Sequence, residues 1–488
     1  MTEAQIVDAD DVHRMIGETF ADRLYHRSDA GYEEARVGRI WHSRHPDRLP
    51  DAILMATCEQ DVVDGVCLAR ERGWSVAVRS GGHSFPVWSL RDGGLTIDLG
   101  GFKEMAYDPD TQIVTATTAV QGGNELNPFL KGYDRFFAGG GCPSVGLGGF
   151  LVQGGIGWNF RGWGYACENV VAIDVVTADG ELVRADETQN SDLFWLARGI
   201  GPGFCGIITR FHLRTRPVQR GMAMSMQAYP VERYADVLAW LWAKNAEVSA
   251  DVYLSGLSVR PPLPVPGHDG SLVFLVWGLA FCETLQASQA ALQPLNDCPY
   301  LDDAIMVVDG QATDMDEQYV LLDRMHPHGP HYRVDSAWVD GPRDEVIASM
   351  RALCTERDPE DIGYSFLIFT MPDRQPPDMA MSLTTELMIG TYVIYENGEA
   401  DRRLKDWLHS AMGSLEPHTH GQYWGDSDQM HREVKCLTDE SWTRAQAIRS
   451  RRDPEGIFAL HLANGAFSNR NGWGPVDDPA DMAPQYMK

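Results

Sequence analysis

The sequence predicts an α+β protein of two main domains, and three observations lead there. The chain has 488 residues, too many for one compact core. Between about residues 50 and 217, short β-branched runs alternate densely with helix-spaced runs. From 218 the texture changes to longer strand-like runs and a long helix, interrupted by proline-rich loops. The divisions are a lead-in at 1–37, a first domain at 38–217, a second at 218–430 and a C-terminal segment at 431–488.

Each element has a local reason. Asp61 to Arg72 carries Val62, Val66 and Ala69 at helical spacing, and Gly73 ends the helix. Ser75 to Ser80, Gly94 to Leu99 and Ile113 to Val120 read as strands. Val171 to Val183 reads as a hairpin turning at Asp179-Gly180. Phe204 to Leu213 is a long strand, and Pro217 stops it. In the second domain a helix is expected at Val231 to Ala246 and strands within Met379 to Glu396. Loops are expected at Pro261 to Gly267 and Met371 to Pro377, and a last helix at Ser441 to Arg451.

Composition narrows the function. Forty-one basic against 69 acidic residues leave a net charge of −28, which repels phosphate backbones and anionic lipid, so neither nucleic acid nor membrane is an expected partner. No window approaches a membrane span. The nine cysteines are odd in number and irregularly spaced, with no Cys-x-x-Cys, and the acidic N-terminus lacks the apolar core of a signal peptide. A reducing, cytoplasmic location is the expectation.

Two glycine clusters carry the chemistry. Arg79-Ser-Gly-Gly-His-Ser84 follows a strand directly, where successive backbone N–H groups form an anion nest. The second runs from Gly139 to Gly164 with 11 glycines in 26 residues, where average usage gives about 2. Glycine at that density lets backbone approach a large planar ligand closely. It also weakens elements unless something compensates.

These stretches, with Asp92 to Leu99, Cys142-Pro-Ser-Val-Gly-Leu-Gly-Gly149, Asp174 to Gly180, Asp192 to Gly199 and Asp453 to Phe458, resemble the vanillyl-alcohol-oxidase superfamily. More narrowly they resemble its berberine-bridge-enzyme-like members, whose fold is a two-part PCMH-type FAD-binding domain plus an α+β substrate domain with an antiparallel sheet. The resemblance is high over 38–217, weak over 218–420 and partial to 470, so the C-terminal segment is expected to return to the FAD domain. It implies bicovalent FAD, with His83 on the 8α-methyl and Cys142 on ring carbon 6. It also implies that Arg79, Ser80, Gly81, Gly82, Ser84, Gly140, Pro143, Ser144, Gly146, Gly148, Gly149, Gly154, Gly155 and Gly157 surround the cofactor. Gly140 matches a position linked in the family to oxygen access, which implies O2 as acceptor.

The family reaction moves a hydride from a substrate carbon to the flavin while a base takes a proton. Tyr423-Trp-Gly-Asp-Ser-Asp428 resembles the family's Tyr-x-Asn-x-x-Asp, with Gly425 in place of asparagine. Tyr423 is therefore the expected base, a role that needs a lowered pKa. Arg161-Gly-Trp-Gly164 departs from Arg-Lys-Tyr-Gly, so Trp163 is an expected pocket wall, with His420 and Tyr392. Strand alternation puts Tyr392 and Tyr395 on opposite faces. The histidines at 326, 328 and 331 and at 418 and 420 lack helical metal spacing, and no metal is expected. The leading expectation is an oxidase that acts on a hydroxyl-bearing or benzylic-type carbon of a small molecule, a secondary metabolite or carbohydrate, and makes hydrogen peroxide. A dehydrogenase or oxidative cyclase on the same fold, and a flavin-binding module without turnover, are the other readings.

Overall fold

The computed structural model describes residue 20 and residues 22–460, apart from 262–267, 373, 428–431 and 433. Most of the expected Pro261 to Gly267 loop, the Asp428 position and the tail beyond 460 thus lie outside the described residues. The described part is mixed helix and sheet.

The first domain has two sheets. One contains β1 (Leu24–His26), β2 (Ala52–Met55), β3 (Val76–Arg79) and β4 (Leu95–Asp98), in the order β1-β2-β4-β3. β2 and β3 both run parallel to β4, which requires a crossover. The helix Glu59–Arg72 makes it, burying Val62, Val66 and Ala69 and ending at Gly73 in the left-handed region, φ 63°. The second sheet contains β5 (Met105–Asp108), β6 (Ile113–Thr117), β8 (Val170–Val176), β9 (Leu182–Ala185) and β10 (Ile207–Arg214), in the order β5-β6-β10-β8-β9. Gly180, φ 78°, turns the β8–β9 hairpin. A two-stranded pair, β7 (Arg135–Phe136) with β11 (Arg216–Pro217), closes the domain.

The second domain is an antiparallel sheet of eight strands. They are β12 (Ala223–Pro230), β13 (Val252–Val259), β14 (Val273–Ala280), β15 (Met306–Ala312), β16 (His331–Val339), β17 (Tyr364–Phe369), β18 (Leu387–Tyr395) and β19 (Thr419–Gly421). Their order is β15-β12-β14-β13-β17-β18-β16-β19. The helix starts at Tyr234, after a turn of 3-10 helix, and runs to Lys244. The strand expected within Met379 to Glu396 is only its C-terminal half, because Met379 to Leu383 packs as irregular chain against the first domain, where Met381 N–H bonds the Arg198 carbonyl.

Register decides what each sheet face does. Tyr364 pairs with Val259 and Tyr392, Phe366 with Leu257, and Ser255 with Ile368 and Trp277, so these side chains share one face. The opposite face, with Leu254, Phe274, Leu367 and Tyr395, is buried in a core with the helices Tyr234–Lys244 and Asp401–Gly413. Arg161, fully buried, ties the two domains by donating to Asn245 Oδ1 at 2.7 Å and to the Val248 and Ser249 carbonyls at 2.7 and 2.6 Å. Phe458 bridges Val76 at the free edge of β3, after the helix Asp439–Arg452, so the chain around 458 lies on the first domain.

Candidate active site

One continuous cavity runs from the ends of β3 and β4, past both glycine clusters, to the aromatic face of the eight-stranded sheet. The two clusters meet backbone to backbone. A Cβ on Gly81 would lie 2.7 Å from Gly146 N, and one on Gly146 2.8 Å from Gly81 Cα. Gly82, φ 78°, would put a Cβ 1.9 Å from the Arg39 carbonyl oxygen. No other residue fits these places without moving main chain.

His83 projects from the first cluster into the cavity, its ring stacked on Trp41 at 4.7 Å. Cys142 projects from the second. Ser144 links them, its Oγ 3.1 Å from His83 Nε2 and 3.4 Å from Cys142 Sγ. Burial lowers the His83 pKa to about 3, with smaller contributions from nearby histidines, so the imidazole is neutral. Burial pushes the Cys142 thiol up, and the Ser144 hydrogen bond pulls it back in part.

Two hydrogen-bonded pairs begin at tyrosines of the sheet. His326 Nδ1–H donates to the Leu322 carbonyl at 2.8 Å, which leaves Nε2 to accept from the Tyr364 hydroxyl. The Tyr364 ring stacks on Tyr392 at 5.1 Å and 8°. The Tyr392 hydroxyl in turn donates to Asp426 Oδ1. Burial raises the Asp426 pKa to about 6, against the opposing pull of that hydrogen bond.

This geometry has relatives. Residues 50–186 match the model of the FAD binding domain family. The FAD-linked oxidoreductase nodO of Hypoxylon pulicicidum is 35% identical over 427 residues, covering 87% of this chain and 93% of the relative. The FAD-linked oxidoreductase penO of Penicillium crustosum is 32% identical over 88% of this chain and 93% of the relative. The xylooligosaccharide oxidase of Thermothelomyces thermophilus matches at 36% identity over 35% of each chain. The solved structure of Physcomitrella patens BBE-like 1 shares the fold, with a TM-score of 0.76 at 18% identity, over 92% of this chain and 97% of that one. The chain is an FAD-linked oxidoreductase.

Its cavity fits FAD on observations independent of those relatives. The Thr118 hydroxyl, in the cavity wall, is buried without a hydrogen-bond partner. A Cβ on Gly149, also in the wall, would have no neighbour within 4 Å. Arg79 to Ser84, Gly140, Cys142, Gly146, Gly148 and Gly149 line the cavity. The Arg79 side chain turns away from it, paired with Asp98 and donating to the Arg36 carbonyl at 2.5 Å, so only its backbone faces a ligand.

Several expected residues lie elsewhere. Pro143, Gly154 and Gly157 support the glycine run from behind: a Cβ on Gly123 would lie 2.5 Å from Pro143 Cα, one on Gly154 2.8 Å from Met381 Cε, and one on Gly157 2.5 Å from the Ala138 carbonyl oxygen. Gly155 N–H is spent on Tyr423. Trp163 is not a wall of the cavity. Its ring packs on Phe281 at 4.9 Å under the Arg216 guanidinium at 4.7 Å, because the turn Phe160–Trp163 faces the domain junction. His420 sits on the edge strand β19 and is exposed, since β19 pairs only with β16 and alternation turns 420 outward.

Tyr423 reaches the cavity but is corrected as the base. Its hydroxyl accepts N–H bonds from Gly155 and Ile156 at 3.1 and 3.0 Å, yet burial, then the Asp426 charge, push its pKa well above 10. Burial and the Asp426 charge raise the Tyr392 pKa in the same way, so neither phenol is a base by itself; Tyr392 differs in that its hydroxyl donates to Asp426, a carboxylate able to receive its proton. Gly425 has a local reason: a Cβ there would lie 2.6 Å from the Tyr423 ring. Tyr392 does line the cavity, and Tyr395 is buried on the other face. Asp426, Tyr364 and His326 as a pocket residue were missed. The only sequence signals were an aspartate beside Tyr423 and a histidine already set aside as a metal ligand.

Proposed function

We propose that this FAD-linked oxidoreductase is an oxidase of a small hydroxyl-bearing or benzylic-type molecule, with FAD bonded through His83 and Cys142 and O2 as acceptor. The observation that carries it is the convergence of the Ser144-linked His83 and Cys142 with the Tyr392–Asp426 pair on one cavity. FAD held by this cavity would supply two-electron redox chemistry, oxidising the substrate carbon and reducing O2 to hydrogen peroxide. The protein handles the proton. Tyr392 takes it from the substrate hydroxyl and passes its own to the Asp426 carboxylate, which is available above about pH 6. Neutral His83 keeps a ring lone pair for its bond to the cofactor, and Ser144 orients it. Support for the cysteinyl bond is the placement of Cys142 on the same serine. Gly140 puts no side chain on the cavity wall, which supports oxygen access.

The test is acid precipitation of the purified yellow protein, followed by paired oxygen and peroxide assays. Flavin that stays with the pellet, and is released only by the combined His83→Ala and Cys142→Ser substitutions, supports both bonds. Flavin in the supernatant of the unaltered protein refutes them. Turnover that reduces a dye without consuming oxygen would make the enzyme a dehydrogenase.

A further inference from the structure

Resting on that reading of the cavity, we propose that its sheet-side chamber accepts a flat, fused-ring aromatic molecule carrying few oxygens, and rejects sugars. Two independent observations converge on this.

The first is what the sheet offers. The side chains that β13, β14, β17, β18 and the helix Met315–Met325 turn toward the cavity include no Arg, Lys, Asn or Gln. Trp277, Tyr253 and Phe366 stand in the wall beside the Tyr364–Tyr392 stack, with Leu257 and Ile368 between them. Aromatic rings at this density favour a partner that presents a ring face or edge.

The second is that the hydroxyls of Tyr364, Tyr392, Tyr423 and Ser255 in the chamber are already hydrogen-bonded within the protein. Tyr364 donates to His326 and Tyr392 to Asp426. The Tyr423 oxygen accepts two backbone N–H groups. The Ser255 hydroxyl donates to the Leu367 carbonyl at 2.9 Å. A sugar brings several hydroxyls, and each one that loses water without finding a protein partner weakens binding by roughly 5- to 100-fold. The reacting hydroxyl has a receiver at Tyr392, and the Trp277 indole N–H, buried without a partner, adds a single donor. A ring system with few oxygens matches so sparse a set of polar groups, whereas a sugar does not.

The experiment titrates the flavin-loaded enzyme, anaerobically, with 2-naphthalenemethanol, D-glucose and xylobiose, following the visible flavin band and tryptophan fluorescence. The expected result is saturable binding of 2-naphthalenemethanol at submillimolar concentration, and no change with either sugar at roughly 100-fold higher concentration. Phe366→Gln should weaken the aromatic probe by roughly tenfold with flavin content and Tm retained; Leu257→Ser is the second variant should the first not fold. Saturable sugar binding, no naphthalenemethanol binding up to its solubility, or unchanged affinity in a folded variant would each overturn the proposal. Flavin reduction is read separately. An aromatic alcohol that binds without bleaching the flavin band counts against the oxidase reading and leaves the chamber assignment standing. A sugar that binds and bleaches it does the reverse.

Discussion

The cavity wall made by the two glycine clusters presents mostly backbone, from which His83 and Cys142 project, whereas the wall built by β13, β14, β17 and β18 presents side chains. On the first wall, shape is set by the absence of Cβ atoms at Gly81, Gly82 and Gly146, so almost any substitution collides with main chain. On the second, shape and polarity are set by which side chain stands at each register position, and substitution changes the ligand before it changes the fold. One protein thus holds an invariant type of ligand on a rigid backbone surface and leaves the variable partner to an adaptable one.

The sharpest way to break this contrast is Asp426→Asn. It should lower kcat by about 10²- to 10⁴-fold with the flavin spectrum and content unchanged; a fall under about threefold would mean the proton leaves Tyr392 by another route. The pH profile is the next largest effect. Burial raises the Asp426 pKa to about 6, so below that pH the group is protonated and cannot receive a proton. The rate should climb about tenfold per pH unit up to that value and then level off. A flat profile from pH 4.5 to 8, followed by single turnover, contradicts the assignment. On the backbone wall, Gly81→Ala should cost about 1–3 kcal/mol in thermal unfolding and lower flavin content, while Phe366→Leu on the other wall leaves flavin content unchanged. Ser144→Ala removes the hydroxyl that contacts both His83 and Cys142, at about 1 kcal/mol per hydrogen bond, and should slow flavin attachment, seen as acid-stable flavin accumulating over time. The smallest effect is expected at Trp163, where Trp163→Phe should leave KM unchanged, because the ring packs at the domain junction; a raised KM would return it to the substrate wall.

The first wall was legible because its signal is local. Eleven glycines within 26 residues, a Gly-Gly-His turn after a strand and a cysteine four residues before Gly146 are all visible along the chain. The hairpin at Gly180 and the helix stop at Gly73 were legible for the same reason. Period-2 alternation also separated Tyr392 from Tyr395 correctly. Alternation assigns faces within one strand, however, and says nothing about which strands lie side by side. Trp163 and His420 were misplaced because nearness in sequence to a motif is not nearness to its cavity.

By itself the sequence determined that this is an α+β FAD-linked oxidoreductase, and it singled out His83 and Cys142, which both line the cavity, because cofactor recognition rests on backbone conformation that only short glycine-rich runs adopt. Tertiary structure alone decided the hydrogen-bonded pairs His326–Tyr364 and Tyr392–Asp426. Residues 364 and 392 meet through strand register, 326 joins them from the end of the helix Met315–Met325 and 426 from the loop after β19, and burial there brings the Asp426 pKa to about 6. A pKa is a property of surroundings, and the surroundings of Asp426 exist only once the chain has folded.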